Sequence, residues 1–116
     1  MIGLREYYEL SSPSPIFTPG ELVYHVHYEY RGVVVEVDEV CQASDKWYQS
    51  NQTQPERNQP WYHVLVDGSQ QTTYVAQCNL KLYARGKPIR HPLIEHFFCE
   101  FQNGRYLRNN ESWPNE

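Results

Sequence analysis

The sequence predicts a mainly β fold: a small SH3-like β-barrel with one or two short helical segments. Short runs rich in valine and tyrosine recur along the chain, separated by Gly, Pro, Asn and Asp turn signals, and such spacing is typical of small barrels. Within the domain proper only two stretches have helical character, and both are brief. The 116 residues, with 10 Tyr, 4 Phe and 3 Trp, suffice for one core and one domain.

Residues 1–15 stand apart as an N-terminal extension. Ser11-Ser12-Pro13-Ser14-Pro15 sustains neither helix nor ladder, because its prolines lack donors and restrict their predecessors. The ten residues before it place Leu4 and Tyr8 on one side of a short helix, which is marginal unless docked. The domain proper, residues 16–108, opens on the turn Phe17-Thr18-Pro19-Gly20. Glu21–His27 alternates partly and reads as a strand. Tyr28–Gly32 connects it onward, with Gly32 marking a bulge or a positive φ.

Val33–Val40 is the strongest strand, with Val33, Val35 and Val37 on one face and Val34, Glu36 and Asp38 on the other. Ser44 is an N-cap for one or two helical turns through Gln49, and Asp45 suits the dipole there. Asn51–Gln59, broken by Pro55, is a polar loop. Trp61–Asp67 and Thr72–Gln77 pair as a hairpin across Asp67-Gly68. Asn79-Leu80 makes a corner into a last short strand, Lys81–Tyr83. Beyond the Arg85–Pro88 turn, Leu93, Ile94, Phe97, Phe98 and Phe101 fall at helical spacing. Asn103-Gly104 turns the chain, and Arg105–Arg108 returns as an edge strand. Residues 109–116 read as a loose polar tail.

Composition excludes several classes. The net charge of −4 opposes a non-specific nucleic-acid coat, whose affinity comes from Lys and Arg neutralising phosphates. No apolar run reaches the ~20 residues that span a bilayer, and the first residues lack the basic-then-apolar order of a signal peptide. Cys41, Cys78 and Cys99 are odd in number and lack CxxC spacing, as expected of reduced thiols in a cytoplasmic protein. The charges are unevenly spread. Glu21 to Asp67 holds eight acids against three bases, whereas Lys81 to Arg108 holds six bases against two acids. Such asymmetry presents a basic edge to phosphate or to an acidic partner, serves contact between copies, or simply forms solvated faces.

Chemistry-bearing constellations are sparse. His25 and His27 lie two apart on a strand and could begin a metal site, but nothing of matching spacing completes it, so no metal is expected. The cysteines occupy no Gly-rich elbow that would activate a thiolate beside a histidine, and no phosphate-cradling loop is present. No enzymatic activity and no cofactor are expected. The aromatics are more suggestive: Tyr30, Trp47, Trp61, Tyr62 and Tyr74 flank strand ends and loops, where small barrels place binding grooves.

Taken in order, Leu22-Val-Tyr-His25, Tyr30-Arg-Gly-Val-Val34, Val37-Asp38, Asp45-Lys-Trp-Tyr48, Gln59-Pro-Trp-Tyr-His-Val-Leu-Val-Asp67, Thr73-Tyr-Val-Ala76, Asn79-Leu80 and Pro88-Ile-Arg-His-Pro92 resemble the YccV-like family. That family includes the bacterial heat shock protein HspQ and the hemimethylated DNA-binding domain. The likeness runs from Phe17 to Tyr106 and implies an SH3-like barrel without catalytic activity. It implies either a stress-associated adaptor that tunes proteolysis of client proteins, or recognition of hemimethylated DNA. Its motif residues include Gly32, Pro60, His63, Asp67, Asn79, His91 and Pro92, most of which have evident barrel-building roles. Gln77 stands where Glu is usual, and Tyr24 where the family often has Arg; losing that strand arginine weakens the DNA expectation and leaves the fold untouched.

Two functions follow as expectations. The first is an interaction module that engages a protease or its clients through the aromatic groove. The second is DNA binding through Arg31, Lys81, Arg85, Lys87 and Arg90; no turn requires a guanidinium at Arg31, which could pair with Asp38 or Asp45 or meet a phosphate. Self-association through exposed edge strands is a further expectation.

Overall fold

The computed structural model describes residues 13–83 and 86–114. The expected helix around Leu4 and Tyr8 lies outside them, as does Arg85. In chain order come β1 (Leu22–His25), β2 (Arg31–Asp38), α1 (Asp45–Ser50), β3 (Trp61–Val66) and β4 (Thr72–Ala76). A 3₁₀ turn (Gln77–Asn79) leads to β5 (Leu80–Leu82), then α2 (Ile94–Phe97), β6 (Phe98–Gln102) and β7 (Arg105–Arg108). The fold is mainly β, and no helix among the described residues is long and apolar enough to cross a membrane.

Five strands form one antiparallel sheet in the order β4-β3-β2-β1-β5, and β6 and β7 form a separate hairpin. The ladders do not close into the expected barrel. The sheet is curled, because its edges β4 and β5 are joined by only the three-residue 3₁₀ turn, yet no ladder links them.

Both faces of the sheet are buried. Val23, Val34, Tyr62, Val64, Val75 and Leu80, one or more from each strand, enclose Phe17 on the inner face. On the outer face Leu22, Val33, Val35 and Leu65 pack under Ile89, Phe97, Phe98 and Tyr106. Each such side chain contributes about 2 kcal/mol by leaving water. A third cluster joins Cys41, Trp61 and Ala76 to Trp47, Tyr48 and Tyr74, and so seats α1 on the β3-β4 end.

Three local expectations are corrected. The valine alternation of β2 breaks at Val35, where a bulge shifts the register between Val34 opposite Val64 and Glu36 opposite His63. The extra residue resets the phase, so Val37 joins Val34 on the inner face instead of Val33 and Val35. Gly32 is neither bulge nor positive-φ residue; a Cβ there would lie 2.5 Å from the Leu65 carbonyl oxygen, so the close approach of β3 requires glycine. Phe98 and Phe101 lie on a strand, not a helix. Asn103 and Gly104, both at positive φ (57° and 80°), form the two-residue turn that pairs Gln102 with Arg105.

The C-terminal segment is also more engaged than expected. Trp113 stacks on Phe97 with centroids 5.4 Å apart and meets His63 at 4.6 Å.

Candidate functional site

Ser44 accepts a hydrogen bond from the Trp47 amide (3.1 Å) and caps α1, which fixes the Trp47 ring over the sheet. Trp47 then packs edge-on against Trp61 (6.1 Å) and Tyr74 (5.7 Å). Around this group run two clefts, of about 1140 and 670 Å³, that share Trp47, His63, Tyr74 and Trp113 as a common wall. Together they make an aromatic trough along the edge strand β4.

Asp38 organises the larger cleft. Its Oδ2 accepts from the Tyr74 hydroxyl (2.6 Å) and lies 3.3 Å from His63 Nε2. Burial pushes the Tyr74 phenol well above its ordinary value, and its hydrogen bond to Asp38 adds to this, so it remains a donor. Burial pulls His63 below the ordinary imidazole value, although Asp38 and Glu36 oppose it. His63 is therefore mostly neutral near pH 7. The cleft's other charges are Glu36, Glu111 and Arg108, and Arg108 is already committed to Glu36 (3.1 Å) and the Val35 carbonyl (2.8 Å). The described lining of the smaller cleft holds no Lys, Arg, Asp or Glu.

The expected groove residues divide by depth. Trp47 and Tyr74 form the wall, Tyr30 lines the smaller cleft with its hydroxyl on Thr73 (2.7 Å), and Trp61 is the buried floor. Tyr62 is not part of the groove. It is fully buried on the inner face, where its hydroxyl meets the Ile16 and Phe17 amides and Gln77.

The basic residues gather elsewhere. Arg31 pairs neither with Asp38 nor with Asp45. Its Nε donates to Asp67 (2.9 Å), and its terminal nitrogens donate to the carbonyls of Lys87 (2.6 Å) and Pro88 (2.9 Å). Burial alone would raise the Asp67 carboxyl, but the Arg90 amide and the Arg31 guanidinium outweigh it and hold it below the ordinary range. This knot leaves Lys87 and Arg90 exposed at the sheet's end. Lys81 sits over the Tyr24 ring (5.3 Å), and Tyr24 stacks on Tyr83, whose ring Arg31 also faces. Arg31 and Asp38 are the two ends of β2, so basic edge and acidic cleft lie roughly 20 Å apart.

A family model described as hemimethylated DNA-binding protein YccV-like matches residues 15–105. The chain belongs to the YccV-like family. No curated protein and no solved structure matches it.

The YccV-like motif residues mostly build this frame. His91 donates from Nε2 to the Gln71 carbonyl (2.9 Å) and accepts the Leu93 amide at Nδ1 (3.1 Å), tying the β3-β4 hairpin to the segment at Pro92. Pro60 is fully buried and its carbonyl accepts the Gln77 amide; the Asn79 carbonyl accepts the Val26 amide. His25 and His27 do not continue along one strand face, because β1 ends at His25 and a turn follows. His25 Nδ1 accepts the His27 and Tyr28 amides, and burial, then His27, lowers its pKa. Among the described residues no three His, Cys, Asp or Glu gather to hold a metal. Sequence reading missed Asp38 and Trp113 as cleft residues. A carboxylate closing the valine-rich strand, paired in register with Trp61, was the available signal for Asp38; Trp113 had none.

Proposed function

We propose that this YccV-like protein is a non-enzymatic binding module that engages polypeptide segments through the aromatic trough and thereby tunes proteolysis of its clients. The observation that carries this reading is the trough itself: aromatic walls beside an open strand edge, with no uncommitted Lys or Arg in its described lining. Rings give area at little entropic cost, and an edge strand offers backbone groups to an extended chain. A phosphate backbone would find no partner there. The curled sheet supports the small-barrel scaffold that the resemblance implies, and the likeness to a heat shock protein supports the link to proteolysis. The test is degradation of casein by a purified ATP-dependent protease with and without the protein. The proposal predicts a changed rate or cleavage pattern; identical time courses contradict the proteolytic role.

Hemimethylated DNA binding is the second reading, favoured by the family description and by the exposed Lys81, Lys87 and Arg90 edge. Direct recognition predicts preference for a hemimethylated duplex over unmethylated and fully methylated ones, with log K falling as log salt rises. Absence of binding at low salt rejects it. Arg31, held by Asp67 and two carbonyls, supports this edge by positioning Lys87 and Arg90.

A further inference from the structure

We infer that the larger cleft recognises a cationic side chain, Lys or Arg, carried on an extended polypeptide. The inference rests on the polypeptide reading above and specifies its ligand. Asp38 spends only one carboxylate oxygen on the protein: Oδ2 serves Tyr74 and His63, while Oδ1 takes no hydrogen bond among the described residues. The Asp38 side chain is 24% exposed, so that oxygen is screened from bulk water without being sealed from a ligand. A partly desolvated carboxylate is where a charge-assisted hydrogen bond is strongest.

The surroundings suit the same cation. Trp47 and Tyr74 present rings beside Asp38, and an ammonium or guanidinium on an aromatic face gains a further attraction. Neutral His63 does not repel it. The one Lys or Arg in the described lining, Arg108, is neutralised by Glu36, which leaves the charge of Asp38, and that of Glu111 beside His96 (3.6 Å), to set the sign of the cleft. Charge complementarity therefore selects a base and disfavours an acidic segment or a phosphate. The backbone carrying that base has a place to lie, since β4 pairs with a strand on one side only. In its register with β3, alternate residues of β4 turn their amides outward.

The experiment compares three fluorescein-labelled Gly/Ser decapeptides, alike except for one central Lys, Arg or norleucine, titrated by anisotropy into the full-length protein. The Lys and Arg peptides are expected to bind at least about tenfold more tightly than the norleucine peptide. Asp38→Asn should abolish that preference, while Trp47→Leu should weaken all three. The wild-type comparison stands even if a variant fails to fold. Equal affinity for all three overturns the inference and leaves the polypeptide reading standing. No binding of any peptide at millimolar concentration overturns both. A hemimethylated duplex that displaces the Lys peptide from this cleft, or self-association that occludes it, also overturns the inference.

Discussion

Arg31 shows how a residue conspicuous in sequence can acquire a structural task. Its guanidinium ties β2 to Asp67 and to the Lys87-Pro88 segment, and Asp67 in turn accepts the Arg90 amide (2.8 Å). Asp67→Ala should therefore destabilise the fold by about 2–3 kcal/mol, read as a lower urea midpoint. Because the folded carboxyl titrates below its unfolded value, its contribution is complete above about pH 4 and is lost as pH falls through the folded pKa. The histidines act in a higher window. His25 and His63 are both lowered by burial, so the unfolded chain binds protons first. Stability should be full above about pH 6.5 and decline as pH drops towards 5; urea titrations at pH 7.5, 6 and 5 would show it, and His25→Gln should flatten the slope. The need for a partner was legible at Arg31, since no turn demands a guanidinium. Which carboxylate it meets was not, because that depends on the β2-β3 register. Tyr62 was hidden similarly: inner and outer faces alternate along β3, and only the curl of the sheet shows which is enclosed.

At the scale of the element, α1 and the β6-β7 hairpin make the contrast. The helix was legible because its signals are local: Ser44 sits in cap position and its side chain accepts the Trp47 amide. Ser44→Ala should cost about 1 kcal/mol and loosen Trp47, seen as a lower melting temperature and a changed Trp fluorescence maximum. The hairpin was misread for Phe98 and Phe101, since apolar spacing over Leu93–Phe101 fits a helix as well as a one-turn helix followed by a strand. Pairing with Arg105–Arg108 across Asn103-Gly104 decides it. Asn103→Val, a β-branched residue forced to positive φ, should destabilise the hairpin by about 1–2 kcal/mol and speed amide exchange in β6 and β7. The bulge at Val35 had no sequence signal. With it, Val33 and Val35 pack under Phe97, Phe98 and Tyr106 while Val34 and Val37 both face the inner cluster.

For the whole molecule, the uneven charge along the chain becomes separation in space. The acid-rich half contributes the Asp38 cleft, while Lys81, Lys87 and Arg90 stand at the other end of β2 beside the Arg31-Asp67 knot. Strand positions, the β3-β4 hairpin and mainly β character were legible from local runs and turns, but the sheet order and its open form were not, because both depend on edges that no local pattern describes. The trough was half legible: Trp47, Trp61 and Tyr74 announced themselves as aromatics, whereas Asp38 and Trp113 joined them only through long-range packing. Spatial separation of the two charge poles makes the central claim testable in one titration. The isotope-labelled full-length protein is followed by heteronuclear NMR as a disordered casein fragment is added. Binding through the trough predicts shifts of the Trp47 and Trp113 indole N–H signals and of the β4 amides, with Lys81, Lys87 and Arg90 unmoved. Shifts confined to that basic edge, or none at all, would contradict it.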